Sequence, residues 1–295
     1  MGKILITGAT GGLGSAVANF LSKKVDKSKI AVLVRDKAGD QAKALASQGF
    51  ELRVADYNDK EALAKAFTDI AQLYFVSGSD IPNRMPQHRN VVEAATKTKV
   101  GHILYTSVSI HHLAEEAPLY GAMQSHFETE KLIKQSGLNF TLLRHNLYSE
   151  VIAMFLGGKE QLLGSKTVFL PTGNGKTAFV ARIELAEAAA NILAKPENHV
   201  NKTYEFNGSE KVSFAEVATY LSGITKETIA YVSPQPKEFE ETLKKFGVPD
   251  QYIGMMLVFS LAIADGSFDT TQNDLETILG RRTQRVEDFL KQVYK

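Results

Sequence analysis

Lys3-Ile4-Leu5-Ile6-Thr7-Gly8-Ala9-Thr10-Gly11-Gly12-Leu13-Gly14 opens with an apolar run of strand character and then breaks into glycines spaced G-x-x-G-x-x-G at Gly8, Gly11 and Gly14. Beyond the turn, Leu13, Val17, Phe20 and Leu21 recur at i, i+4, i+7 and i+8, the spacing of one apolar helical stripe. The segment therefore predicts strand, tight turn, helix. Glycine at 8 and 11 allows backbone conformations and close approaches closed to other residues, and glycine at 14 lets helix and strand pack tightly. The first amides of the helix have no partner within it and sit at the positive end of its dipole, so the turn is suited to an anion such as a pyrophosphate. A glycine-rich connection that holds no ligand is the plain alternative.

Working outward, further strands are predicted at Ile30–Val34, Glu51–Ala55, Leu73–Val76, Ile103–Ser107 and Phe140–Leu143, after the first at Lys3–Thr7. Helix-period segments separate them, the pattern of a parallel sheet covered on both faces. Asn58 or Asp59 is placed to cap a helix carrying Leu63, Ala66, Phe67 and Ile70, and Gly137 to close the helix that contains Lys131 and Leu132. After Tyr148 the alternation loosens. Helices are expected at Glu184–Leu193 and at Phe214–Leu221, the second introduced by a Ser213/Glu216 capping box. The expected class is α/β: a Rossmann-type doubly wound parallel sheet over residues 1–148, with a smaller C-terminal α+β cap region over 149–295.

The chain has 295 residues and no cysteine, which removes disulfides, zinc-thiolate sites, iron–sulfur clusters and cysteine nucleophiles together. A net charge of +1 supplies no field for gripping a nucleic-acid backbone or an anionic membrane. Ile4-Leu5-Ile6 is too short for a signal core or a membrane span. A cytoplasmic protein with a small-molecule partner is expected, with no nucleic-acid or membrane partner and with self-association into a homo-oligomer left open.

The end of the second strand, Arg35-Asp36-Lys37, meets the adenosine ribose in such folds. Arg35 suits a 2′-phosphate and can stack on adenine, whereas Asp36 suits a free 2′-hydroxyl, so NADP is favoured over NAD. Asp56, after the third strand, is a candidate for the adenine edge or for a helix cap. Gly175-Lys176-Thr177 lacks the glycine a phosphate loop requires five residues earlier, where Leu170 stands. His111 and His112 are adjacent rather than spaced for one face, and His88, His126 and His199 have no carboxylate pattern around them, so no metal is expected. Glu128 and Glu130 read most simply as a solvated helical face.

Gly8 to Gly14, Val34-Arg35-Asp36, Ala55-Asp56-Tyr57, Pro86-Gln87-His88-Arg89-Asn90, Tyr105-Thr106-Ser107 and Thr141-Leu142-Leu143-Arg144 together resemble the NmrA-like branch of the atypical short-chain dehydrogenases. Within it the chain is most similar to the type 2 NAD(P)H:quinone oxidoreductases, over nearly its whole length. The segments Gln87–Asn90 and Leu142–Arg144 with Tyr148-Ser149-Glu150 are more specific than the glycine turn.

The resemblance implies two-electron reduction of a quinone by hydride from NADPH, with NADH as the lesser cofactor. By position, Gly8, Ala9, Thr10, Gly11, Gly12, Leu13, Gly14 and Arg35 would hold the cofactor phosphates. Ser77, Gly78 and Ser79 would lie along it. His145, Asn146, Leu147, Tyr148, Ser149 and Glu150 would flank the nicotinamide, with Arg182 closing the far side. Tyr148 would hydrogen-bond the quinone oxygen, with His145 or solvent as proton source, and Lys131 would touch the nicotinamide ribose.

One departure bears on the chemistry. The Tyr-x-x-x-Lys pair of Tyr-dependent relatives is absent: four residues before Lys131 stands Phe127, and four after Tyr120 stands Gln124. Alcohol, ketone and sugar-nucleotide chemistry is thereby disfavoured. A quinone is different, because hydride addition gives an aromatised hydroquinone anion that water can protonate. A dinucleotide sensor that binds NAD(P) without turnover is the rival reading.

Overall fold

A computed structural model describes residues 2–295; Met1, the first residue of the expected nucleotide-binding half, lies outside them. The chain runs β1 (Lys3–Ile6), α1 (Gly12–Leu21), β2 (Ile30–Val34), α2 (Asp40–Ser47), β3 (Glu51–Val54), α3 (Lys60–Ala66), β4 (Ile70–Phe75), α4 (Arg84–Lys97), β5 (His102–Val108), α5 (Pro118–Gln135) and β6 (Asn139–His145). It continues with α6 (Ser149–Leu156), α7 (Lys159–Ser165), β7 (Thr167–Phe169), β8 (Lys176–Thr177), α8 (Arg182–Ala194) and β9 (Lys202–Phe206). The remainder is β10 (Val212–Ser213), α9 (Phe214–Thr225), β11 (Ala230–Val232), α10 (Pro236–Lys245), α11 (Asp250–Ala264), α12 (Leu275–Leu279) and α13 (Val286–Tyr294).

Seven parallel strands form one sheet in the order β3-β2-β1-β4-β5-β6-β9. The chain winds outward from β1 to β3, then crosses back to β4, so the direction of winding reverses between β1 and β4. That reversal leaves a crevice at the carboxyl ends of the strands. Side-chain alternation divides the core. Ile4, Ile6, Val32, Val34, Tyr74, Leu104 and Leu143 face α1 and α8, while Leu5, Leu33, Leu73, Phe75, Ile103, Tyr105 and Leu142 face α3, α4 and α5. Strands buried on both faces must be apolar throughout, which is why β2 reads Ile-Ala-Val-Leu-Val. No helix among the described residues is long and apolar enough to cross a membrane.

Two expectations, on Ile70 and on Glu130, are corrected. Ile70 belongs to β4 and not to the preceding helix: α3 stops at Ala66, Asp69 takes a left-handed φ of 61°, and Ile70 pairs with Lys3. The segment Pro86–Asn90, read only for its resemblance, lies in α4. Glu130 is buried, not solvated. It accepts from Arg144 Nε and Nη2 (2.8 and 2.7 Å) and from Ser107 Oγ (2.7 Å), and Arg144 Nη1 reaches Glu205 (3.0 Å). Residues beyond 148 also contribute to the sheet layer. Helix α8 packs on α1 over the sheet, and β9 adds a seventh parallel strand beside β6. An apolar, alanine-rich helix and the open edge of β6 each need a partner, and they find it here.

The rest of the C-terminal half gathers α6, α7, α9, α10, α11 and α13 around Phe179, Phe214, Phe239 and Phe268, joined to the sheet layer through Leu119 and Met123 of α5. The Ser213/Glu216 capping box is formed.

Candidate active site

A cavity of about 600 Å³ opens at the carboxyl ends of the strands. Its floor is the glycine turn. Gly8 adopts φ +61°, Gly11 N–H donates to Gly8 O (3.0 Å), and a Cβ on Gly14 would stand 2.4 Å from Gly8 O and 2.8 Å from Thr7 O. Only glycine permits both the turn and this approach of α1 to β1. No side chain caps α1 at Gly11, so the amides of its first turn are left to the cavity. This donor cradle, backed by the helix dipole, fits a diphosphate.

One wall comes from the ends of β2 and β3. Arg35 is exposed, lines the cavity and forms no ion pair among the described residues. Asp36 does not line it; its Oδ1 accepts Ala38 N–H (2.8 Å), which ties it to its own turn. Asp56 lines the cavity while its Oδ1 accepts from Asn58 N and Nδ2 (2.8 and 2.7 Å), and the capping of α3 falls to Asp59.

The opposite wall is the loop after β4, Ser77-Gly78-Ser79. At the far end, Tyr148 and Arg182 complete the lining. The Arg182 guanidinium lies 5.2 Å from the Tyr148 ring centroid, and its Nη1 stands 3.3 Å from where a Cβ on Gly12 would sit. Glu150 braces it from behind: its carboxylate accepts Arg182 N–H (3.2 and 3.3 Å) and faces Nε at 3.8 Å.

Of the residues picked from sequence, Gly8, Thr10, Gly11, Gly12, Leu13, Gly14, Arg35, Asp56, Ser77, Gly78, Ser79, Tyr148 and Arg182 line this one cavity. The others do not. Ala9, His145, Asn146, Leu147 and Ser149 are buried, and Glu150 acts on the cavity through Arg182. Asn146 ties the end of β6 to Asn207 Oδ1 (2.8 Å), Thr270 Oγ1 (3.0 Å) and Phe268 O (3.2 Å). Lys131 is exposed on the outer face of α5 and does not line the cavity, because the helical turn that buries Thr129 and Glu130 points the next residue outward.

His145 stands behind Tyr148, stacked on Phe206 (centroids 5.9 Å apart, planes at 2°), with Nδ1 3.3 Å from the Tyr148 hydroxyl. Burial holds its pKa at about 3, so it is a neutral ring at physiological pH and not the proton reservoir expected of it. Tyr148 is pushed up to about 12 by desolvation, against the opposing pull of Arg182, and stays a hydroxyl donor.

Sequence reasoning missed Tyr57, Asn58, Asp80, Arg84 and Gln87 as lining residues. For Gln87 the signal was present in the Gln87–Asn90 segment; for Arg84 and Asp80 there was none, since the α4 start was not recognised.

The profile of the NmrA-like family matches residues 1–290. Quinone oxidoreductase 2 of Escherichia coli is 34% identical over 99% of this chain and 98% of its own. The structure of the Escherichia coli NADPH-dependent quinone oxidoreductase complexed with NADPH superposes with a TM-score of 0.88 at 34% identity, covering 98% of this chain and 99% of that one. The Citrobacter sp. triphenylmethane reductase complexed with NADP(H) gives 0.90 at 33% identity, with 98% and 99% covered.

Proposed function

The chain belongs to the NmrA-like family, and from that premise we propose that it is an NADPH-dependent oxidoreductase that reduces a quinone by two electrons. The observation that carries the reading is that one cavity joins the uncapped start of α1, the unpaired guanidinium of Arg35 and the hydroxyl of Tyr148. When bound, the reduced nicotinamide supplies the hydride.

The residues of the chain do the rest. The α1 amides bind the diphosphate, and Arg35 takes the 2′-phosphate with paired N–H donors. Asp36, held to Ala38, leaves that position to a phosphate. Arg182, fixed by Glu150, narrows the far end and orients Tyr148 through its ring. Tyr148, hydrogen-bonded to the neutral His145, offers its hydroxyl to the oxygen of the acceptor. Elements α6, α7, α9, α10, α11 and α13 serve as the cap on the acceptor side. Because Phe127 and the outward Lys131 provide no Tyr-x-x-x-Lys proton relay, the acceptor is one whose reduced form takes its proton from water, as a quinone does.

Mixing the protein with NADPH and a simple quinone and following the absorbance of reduced nicotinamide tests the reading. Oxidation dependent on both is expected; NADPH binding without oxidation of any quinone would replace the enzyme by a dinucleotide sensor. A triphenylmethane dye run in parallel measures whether the acceptor range extends to cations that take hydride without a proton.

A further inference from the structure

Beyond Phe75, β4 runs out of strand partners, and its next three amides turn to side chains instead. Val76 N–H donates to Thr7 Oγ1 (2.9 Å), Ser77 N–H to Thr106 Oγ1 (2.8 Å) and Gly78 N–H to His88 Nε2 (2.9 Å). All three acceptors are buried, so the donors of this loop point into the protein. The main-chain N–H groups of residues 76–78 are therefore spent inside the protein and are not offered to the cavity, unlike the amides at the start of α1.

The third acceptor is the unusual one. Thr7 directly follows β1 and Thr106 lies within β5; His88 comes from the Gln87–Asn90 segment, whose role the phosphate cradle and Tyr148 leave unexplained. Because Nε2 accepts, Nδ1 must carry the hydrogen, and it donates to Thr129 Oγ1 (2.9 Å), which in turn donates to Ser125 O (2.6 Å). Phe75 meets the ring edge-on at 4.8 Å. Arg84 completes the grip by donating Nε–H to Gly78 O (2.7 Å) and Nη1–H to Ala122 O (3.0 Å). Both backbone polar groups of Gly78 are thus held by α4.

We propose that His88 is a positioning residue for the cofactor: by accepting the Gly78 N–H it fixes the 76–79 loop in the orientation that NADPH binding requires. This rests on the function proposed above, and the experiment separates the two. NADPH is titrated calorimetrically into wild type, H88L, which lacks the acceptor, and H88Q, whose amide oxygen replaces Nε2. A buried donor left without a partner predicts a Kd about tenfold higher in H88L. H88Q is expected within about threefold of wild type, and kcat at saturating NADPH within about twofold in both.

No binding by wild type sinks the functional reading; wild-type binding matched by a folded H88L overturns the role of His88. Should H88L fail to fold, H88F, an aromatic ring without the acceptor, takes its place, with the same rise expected and an unchanged Kd equally fatal. Nitrogen-15 spectra of wild type give a check without mutation: Nδ1 protonated and Nε2 coupled to the Gly78 amide is expected, and a protonated Nε2 overturns the proposal.

Discussion

Arg35 and Tyr148 stand at opposite ends of the cavity, and each makes a separable contribution. An exposed guanidinium with no ion pair among the described residues is worth little to stability, so its effect belongs to binding. R35Q is expected to raise the Kd of NADPH by about 10–100-fold, the size of charge-assisted hydrogen bonds to a phosphate, while the Kd of NADH stays within about threefold. Fluorescence titration with both nucleotides checks it; equal losses would deny any contact with the 2′-phosphate. Tyr148 keeps its proton far above neutral pH, so removing the hydroxyl removes a donor and no charge. Y148F is expected to lower kcat about tenfold with the Kd of NADPH within about threefold. Unchanged quinone turnover would strip Tyr148 of its role. Arg35 was legible in the sequence because it follows directly on β2, whereas Tyr148 was singled out only through the family resemblance. Lys131 was misjudged because a spacing of four from an absent tyrosine says nothing of which face of α5 meets the sheet.

At the level of elements, the join of β1 to α1 is the tightest constraint. G14A would drive a methyl group to 2.4 Å from Gly8 O, and backbone cannot yield as a flexible side chain would. A loss of about 1–3 kcal/mol is expected from the overpacking. NADPH binding should fall with it; retained affinity in calorimetry would show that the turn is not the cradle. Helix α5 and strand β6 are joined by the Glu130–Arg144 pair, with Glu130 only 4% exposed. E130A leaves the Arg144 guanidinium with Glu205 alone and is expected to destabilise by about 1–3 kcal/mol in urea unfolding. A cost below 1 kcal/mol would mean that water reaches the pair. Helical periodicity marks Glu130 as an outward position by charge alone; only the packing of α5 on β5 and β6, with Ser107 and Arg144 waiting there, turns it inward.

For the whole molecule, burial of neutral imidazoles sets the response to acid. His88 and His145 are held at about 3, and His126 well below its usual value, burial being the leading cause in each. Below about pH 6.5 the unfolded chain takes up protons that the folded chain refuses, so stability is complete above that pH and is lost as pH falls from there toward 3. The melting temperature is expected to stay level between about pH 7 and 8 and to drop between about pH 6 and 4, followed by circular dichroism. A flat profile would show that the rings are solvated. The sequence by itself determined the first six strands, the glycine turn and the arginine beside it, because backbone conformation at glycine and apolar periodicity are local properties. Only the tertiary structure decided that α8 and β9 return to the sheet, that His145 is neutral, and that His88 of α4 grips the loop after β4. Those outcomes depend on which distant groups share one low-dielectric interior, and a linear spacing carries no record of that.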